Sequence, residues 1–408
     1  MKKSNYSPNI KPVQKIELDD SKLSKKLWIL LAVFAVAIVA LTVAINGFIK
    51  VETGLTAIQA NPTVVGSDID FSLQYVIGSS DELSPRIELK SVTTAYGAAC
   101  DEAYKLFSAD TAFDGVKNIH YLNTHPNEEC IVSEELYSVF ELIKKYDDRS
   151  IYLSPLSVDY MNLFISENDI AAYEFDPYEN AELAESHAKI AEYAVNPDMV
   201  DVKLLGDNKL MLCVADDYLS FAESEGITQF IDLMWLKNAF SVDFIAKRLV
   251  DEGFKYGTLT SSDGFSCNLN TESSESFTLG VINRLNGSLN GVASAYYTGS
   301  ANICYLRNFR LHSQDVFRCY ERSDGESRTY YLDVHDGICR TACDVFIGAS
   351  RDLSCAELAL KMSPIYISET LDEGRLEEFS KECGYIVVED ERLSFGDKIF
   401  SVASHEAE

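Results

Sequence analysis

The sequence is short of the residues that several functions require. Its six histidines are scattered, at 120, 125, 187, 312, 335 and 405, and no HExxH pair occurs. A zinc-hydrolase helix needs two imidazoles on one face and is not encoded. Ten cysteines include no CxxC, and Cys339 and Cys343 alone do not define a zinc site. Lys and Arg number 35 against 64 Asp and Glu, a formal net charge of −29. A surface that acidic repels nucleic acid and anionic lipid, so neither is expected as a partner. Solubility alone is sufficient reason for such acidity in a folded domain. No internal repeat or low-complexity run is evident, which excludes solenoid architectures.

What is present is an ordinary globular balance: 408 residues, 47% apolar and 24% charged, with ample material for a core. One apolar run is exceptional. LWILLAVFAVAIVALTVAI, residues 27–45, is nineteen residues without a charge, and at 1.5 Å per residue it spans roughly 28 Å, close to a bilayer core. The 26 residues before it hold seven lysines against Glu17, Asp19 and Asp20. The positive-inside rule keeps that tail in the cytoplasm and exports the rest. A cleaved signal peptide is the rival reading, against which stand the length of the run and of the tail. The expected organisation is a cytoplasmic basic tail (1–26), a transmembrane signal anchor (27–46) and a juxtamembrane linker (47–67). A folded domain (68–400) and a C-terminal tail (401–408) follow. The tail contributes +4, so the remainder carries −33. Cysteines outside the membrane can form disulfides, whereas Cys213, Cys304 and Cys343 lie in apolar runs, where a thiol packs as a small core residue. The thiol state stays open.

Periodicity places a strand at FSLQYVI (71–77) and helices at 93–107 and 133–146. The second helix is expected to start with a capping box, Ser133 as cap with Glu134 and Glu135 in the first turn. DDYLSFAESEG reads as strands and turns, and strands are expected at 209–215 and 278–284. In residues 231–264 an Asp opens a helix over 236–250, with Leu236, Phe240, Phe244 and Leu249 as its apolar stripe. Gly253 suits the left-handed residue after it. Residues 328–348 read as a hairpin turned by Asp336-Gly337. A helix (353–362), a strand (PIYIS), a helix (EGRLEEFSKECG) and a hairpin (YIVVEDERLSF) complete the chain. Mixed helices and hairpins argue for an α+β domain with a mixed or antiparallel sheet.

Four segments in this order resemble the FAD:protein FMN transferase (ApbE-like) family. IVSEELYSVFELIKKYDDRSIYLSP, preceded by Leu122-Asn123, is similar to the family's stretch ending in GaFDpt. IDLMWLKNAFSVDFIAKRLVDEGFKYGTLTSSDG resembles DLGGIAKGYAVD followed by a Gly-Gly-Asp turn. TLGVINRLNGSLNGVAS and YYLDVHDGICRTACDVFIGASRDLSCAELAL resemble the two later motifs. The resemblance covers about 68–400 and implies an exported enzyme that cleaves FAD with Mg²⁺ and attaches FMN to a Thr of a partner protein.

Position by position, the resemblance also implies what has changed. Asp232 and Leu233 match, but the family's Gly-Gly pair is Met234-Trp235. The Ala whose carbonyl helps hold the metal is Lys237, the following Lys is Asn238 and the next Gly is Ala239. Asp243 is kept, and so is Asp263 in the turn Ser261-Ser262-Asp263. The family's His falls on Tyr330; Asp333 and Gly337 match. The metal-binding Asp and Thr fall on Ala356 and Leu360, and a one-residue shift offers Glu357 and Lys361, of which only Glu357 has a lone pair to give.

The candidate residues are therefore Tyr330 and Asp333 for catalysis, Asp232, Trp235, Asn238 and Asp263 for the cofactor, and Glu357 for a metal. Each retained Asp also has a structural reading, as a helix cap or turn residue. Trp235 either fills the flavin pocket or stacks on the flavin, and Tyr330, with an ordinary pKa near 10, is a poor base at neutral pH. The expectation is a membrane-anchored, extracytoplasmic, catalytically degenerate relative acting as a binding or interaction module, for an exported flavoprotein or surface protein. The alternative is active Mg²⁺-dependent transfer through a rebuilt shell in which Asp232, Asp263, Asp333 and Glu357 converge.

Overall fold

A computed structural model describes residues 30–34, 36–38, 51–270 and 274–405. The expected cytoplasmic tail and most of the expected anchor lie outside the described residues; 30–34 and 36–38 are helical. Among the described residues no helix is long and apolar enough to cross a membrane. The chain divides into a unit ending at Glu52 and a second unit, Thr53–Glu408.

The second unit is built on an eight-stranded sheet whose strands follow one another in chain order, every neighbour antiparallel. They are Gly54–Ile58, Phe71–Ile77, Gly257–Ser261, Phe265–Asn268, Asn302–Arg307, Val345–Ser350, Gly384–Glu389 and Arg392–Phe395. Alternation decides the faces: Leu73, Tyr75 and Ile77 are buried while Ser72 and Gln74 are exposed. Helices Pro85–Phe107, Lys237–Asp251 and Cys355–Tyr366 cover one face. Over the last strands the other face carries a three-stranded arm, Ser276–Leu285, Ser288–Thr298 and Ser401–Ser404. Val281, Ala295 and Tyr297 of the arm pack with Ile303, Tyr305, Ile347 and Ile386 in one apolar cluster. Val345–Ser350, covered on both faces, is buried at all six positions and hence reads as a continuous apolar run.

Two carboxylates clasp the N-terminal strands to the long helix. Glu88, fully buried, accepts hydrogen bonds from the amides of Gly78 (2.6 Å) and Ser80 (3.1 Å). Asp101 accepts from the amides of Thr63 (2.7 Å) and Val64 (3.0 Å) and the hydroxyl of Ser67 (2.7 Å). The segment expected as a linker is therefore folded from Gly54 onward, and the expected C-terminal tail supplies a strand at Ser401–Ser404.

Several expected elements stand: the strand Phe71–Ile77, the strand Lys209–Val214, the helix Lys237–Asp251 and left-handed Gly253, at φ 92°. Others differ. The helix expected from 93 starts at Pro85, where proline sits in the first turn with no amide to lose. Ser133 caps its helix by accepting from the Leu136 amide, but Leu136 occupies the third position, so no reciprocal box forms. DDYLSFAESE is a helix, Asp216–Glu225, closed by Gly226 at φ 71°. PIYIS is not a strand: Pro364–Tyr366 form the last turn of Cys355–Tyr366. Residues 328–348 do not form a continuous hairpin. Ser327–Thr329 pairs with Cys319–Glu321, Val345–Ser350 joins the large sheet, and a single bridge, Leu332–Cys339, closes the Asp336-Gly337 turn. All ten cysteines are free thiols.

Candidate functional site

The segment leading into the helix Lys237–Asp251 is fixed first. Asn123 accepts from the amides of Phe230 (2.9 Å) and Ile231 (3.0 Å) and donates to the Ile231 carbonyl (2.9 Å). Asp232 follows, its amide donating to the Ile151 carbonyl at 3.0 Å. Its carboxylate is withdrawn from water and one oxygen has no partner. Burial pushes its pKa up, against the pull of Lys237 and of the Met234 and Leu233 amides. It precedes the short turn Met234–Leu236, whose N-cap residue is Leu233 and which has no side-chain cap hydrogen bond, so the expected capping role of Asp232 is not what the turn shows.

The next two residues are Met234 and Trp235, and at the first of them the backbone has a glycine's shape. Met234 holds φ 53°, in the left-handed region that side-chain-bearing residues avoid. Trp235 is 1% exposed, packed edge-on against Tyr331 with ring centroids 5.5 Å apart. Its indole N–H is buried without a hydrogen-bond partner. The indole lies in the core rather than stacked beside an open space.

Beside this turn is a cavity of about 280 Å³ lined by Gly66, Asp70, Met234, Lys237, Asn238, Asp263, Phe317, Arg318 and Tyr330. Asn238 donates to Asp263 at 3.0 Å, and the Ser261 hydroxyl donates to the other oxygen of the same carboxylate at 2.5 Å. The turn is possible only with Gly264, whose φ is 109° and whose added Cβ would lie 2.2 Å from the Tyr305 carbonyl oxygen. Burial raises the Asp263 pKa against the attraction of Arg318. Arg318 donates to the Asp70 carboxylate and, at 2.9 Å, to the Ser262 hydroxyl. Burial would raise the Asp70 pKa, but Arg318 and Ser262 outweigh it and hold the group below the usual carboxylate range. Behind them Arg307 forms a buried pair with Asp315 at 2.8 Å. Burial sends the Tyr330 hydroxyl well above its ordinary pKa, which removes it as a base at neutral pH.

The remaining expected residues lie elsewhere. Asp333 is absent from the cavity; it pairs with Arg340 at 3.1 Å and accepts from the His335 amide at 2.9 Å, stabilising the Asp336-Gly337 turn. Glu357 is bound by Lys145 (2.5 Å), the last residue of the helix Glu134–Lys145, and by its C-cap Tyr146 (2.8 Å). Ala356 and Leu360 are buried hydrocarbon. Asp243 accepts from the amides of Cys355 (2.9 Å) and Ala356 (2.8 Å), tying one helix to the start of the next. The structure thus brings together Trp235, Asn238, Asp263 and Tyr330 around the turn and cavity, and separates Asp333 and Glu357 from them. Among the described residues, no three His, Cys, Asp or Glu side chains gather as a metal site. Asp70 and Arg318 are the lining residues that sequence reasoning missed. They are 248 positions apart, and no local motif marks either.

No protein-family model matches the chain, and no curated protein sequence matches it. Solved structures do. The ApbE protein of Thermotoga maritima superposes with a TM-score of 0.56 at 14% identity, over 85% of this chain and 97% of that one. The flavin transferase ApbE from Vibrio cholerae gives 0.54 at 12% identity, over 86% and 97%. The chain has an ApbE-like fold.

Proposed function

We propose that the chain is a binding module on an ApbE-like fold in which flavin-transferase chemistry has been lost, exported and tethered through residues 27–46. Trp235 carries the reading. An indole buried in the core stands at the second glycine of the resembled phosphate loop, where backbone must approach the ligand closely. The residues also do not fit the metal. Mg²⁺ takes oxygen ligands in near-octahedral geometry, and the methyl of Ala356 and isobutyl of Leu360 offer none. Glu357 already has Lys145 and Tyr146. The rival, transfer through a rebuilt shell, needs Asp232, Asp263, Asp333 and Glu357 on one ion; the last three are engaged separately, and among the described residues no such carboxylates gather. What remains is a cavity of about 280 Å³, just under the roughly 300–1,000 Å³ of most small-molecule pockets. Lys237 and Arg318 give it a polar lining suited to a small ligand.

The test is a titration of the purified chain with FAD, with and without Mg²⁺, read by flavin fluorescence and melting temperature. No Mg²⁺-dependent stabilisation, FAD hydrolysis or FMN transfer is expected; chelator-sensitive turnover overturns the reading. For the exported orientation, a reporter active only outside the cytoplasm, fused after residue 408, should be active.

A further inference from the structure

Soluble domains rarely leave large apolar side chains exposed in contiguous groups, and one such group stands beside the cavity. On the helix Ser157–Phe164 and the residue after it, Val158, Met161 and Ile165 recur at three- and four-residue steps, one helical stripe, and all three are exposed. Ile170 and Tyr173 follow on the short helices Asp169–Ala172 and Tyr173–Phe175, which pack against that helix. Phe317 lies on the turn Ser313–Phe317, in contact with the same helix. The six side chains are between 43% and 88% exposed.

Hydrogen bonds fix these elements in one surface. Arg310 donates to the Phe164 carbonyl at 3.3 Å, the Tyr320 hydroxyl to Asp169 at 2.7 Å, and the Ser323 hydroxyl to the same carboxylate at 2.5 Å. Phe317 also lines the cavity, so the apolar surface reaches its mouth. The helical segment itself carries an acidic excess, although Arg310 reaches the Phe164 carbonyl and Arg322 is paired with Asp176 and Glu179. Residues 150–180 include six acids and neither Lys nor Arg. Asp159 and Asp169 are engaged by His187 and Tyr320, while Glu167 and Glu174 stand exposed next to the stripe.

We infer that this surface docks a partner protein presenting apolar side chains ringed by Lys and Arg, such as a basic amphipathic helix. Apolar burial would supply the affinity and the acidic rim the orientation and on-rate. A second copy is disfavoured, because a two-fold contact would oppose the same acidic rim to itself, and an anionic membrane is disfavoured by the same charge. The inference rests on the binding-module reading only for the link through Phe317. Its test contains neither flavin nor metal, so either can fail without the other.

The probe is a labelled eighteen-residue Leu/Lys amphipathic peptide titrated into the full chain, read by fluorescence anisotropy. Saturable binding is expected, weakened by salt and reduced at least tenfold by Met161→Glu and by Ile165→Glu. Both positions are exposed, and an unchanged melting temperature verifies the fold. Val65→Glu, outside the patch, should leave binding unchanged. Equal binding of a Leu/Glu peptide, no saturable binding, or insensitivity to both patch substitutions overturns the inference. So does vesicle binding, to phosphatidylcholine alone or mixed with phosphatidylglycerol, or self-association in sedimentation, that the same substitutions abolish.

Discussion

At Met234 the backbone keeps a conformation, φ 53°, that costs a side-chain-bearing residue about 1–2 kcal/mol. Met234→Gly is therefore expected to stabilise the fold by up to about 1 kcal/mol, after the greater unfolded-state freedom of glycine is subtracted; a loss of that size in urea denaturation contradicts the strain argument. Its neighbour runs the other way. Removing the buried Trp235 side chain by Trp235→Ala should cost about 3–5 kcal/mol, toward the lower end because the unpartnered indole N–H already costs the fold about 1–3 kcal/mol. A loss below about 1 kcal/mol would mean that the indole is not a core residue. The sequence marks these two positions but not their conformation or packing. Trp235 read either as a plug or as a stacking platform, and the Tyr331 ring it packs against, far along the chain, leaves no mark in the local sequence.

Among the elements, the joint between the helices Lys237–Asp251 and Cys355–Tyr366 has a readable electrostatic signature. Burial pushes the Asp243 pKa up to about 6, above its ordinary 3.8. The folded state then holds more protons than the unfolded one between these values, so the contribution is complete below about pH 4 and lost as pH rises through about 6. Two units correspond to about 3 kcal/mol at most. Asp70 and Asp315 act in the opposite sense: Arg318 and Arg307 outweigh burial and lower them, so their stabilisation is lost as pH falls. The comparison to make is Asp243→Asn against the parent, by denaturant melts at pH 4 and pH 7. The parent should lose more stability over that interval than the variant does, and equal losses would sink the assignment. Elements with a clean period were legible, as at Phe71–Ile77 and Lys237–Asp251. Those hidden by polar composition were not: Asp216–Glu225 is a helix whose acidic first turn suits the helix dipole, and Pro364 disguised a helical last turn as a strand. Of the site, Asp263, Asn238 and Tyr330 were legible through the resemblance. Asp70 and Arg318 were not, since long-range pairing leaves no local pattern.

For the molecule as a whole, the net charge of −29 sets a background of self-repulsion that compactness must overcome. Raising sodium chloride from about 10 mM to about 200 mM shortens the screening length from roughly 30 Å to below 10 Å and should raise the melting temperature. A fall would show that salt-sensitive ion pairs outweigh the surplus charge. The order of the large sheet has a further consequence, in the time course of synthesis. Phe71–Ile77 pairs with Gly257–Ser261, and the ribosome takes roughly 10–40 s to make the stretch between them at 5–20 residues per second. Throughout that wait the newborn strand presents an open edge to every other nascent chain. Glu88 and Asp101 lie on the helix Pro85–Phe107, made directly after that strand, so the clasp they form can close early and hold the strand at home until its neighbour arrives.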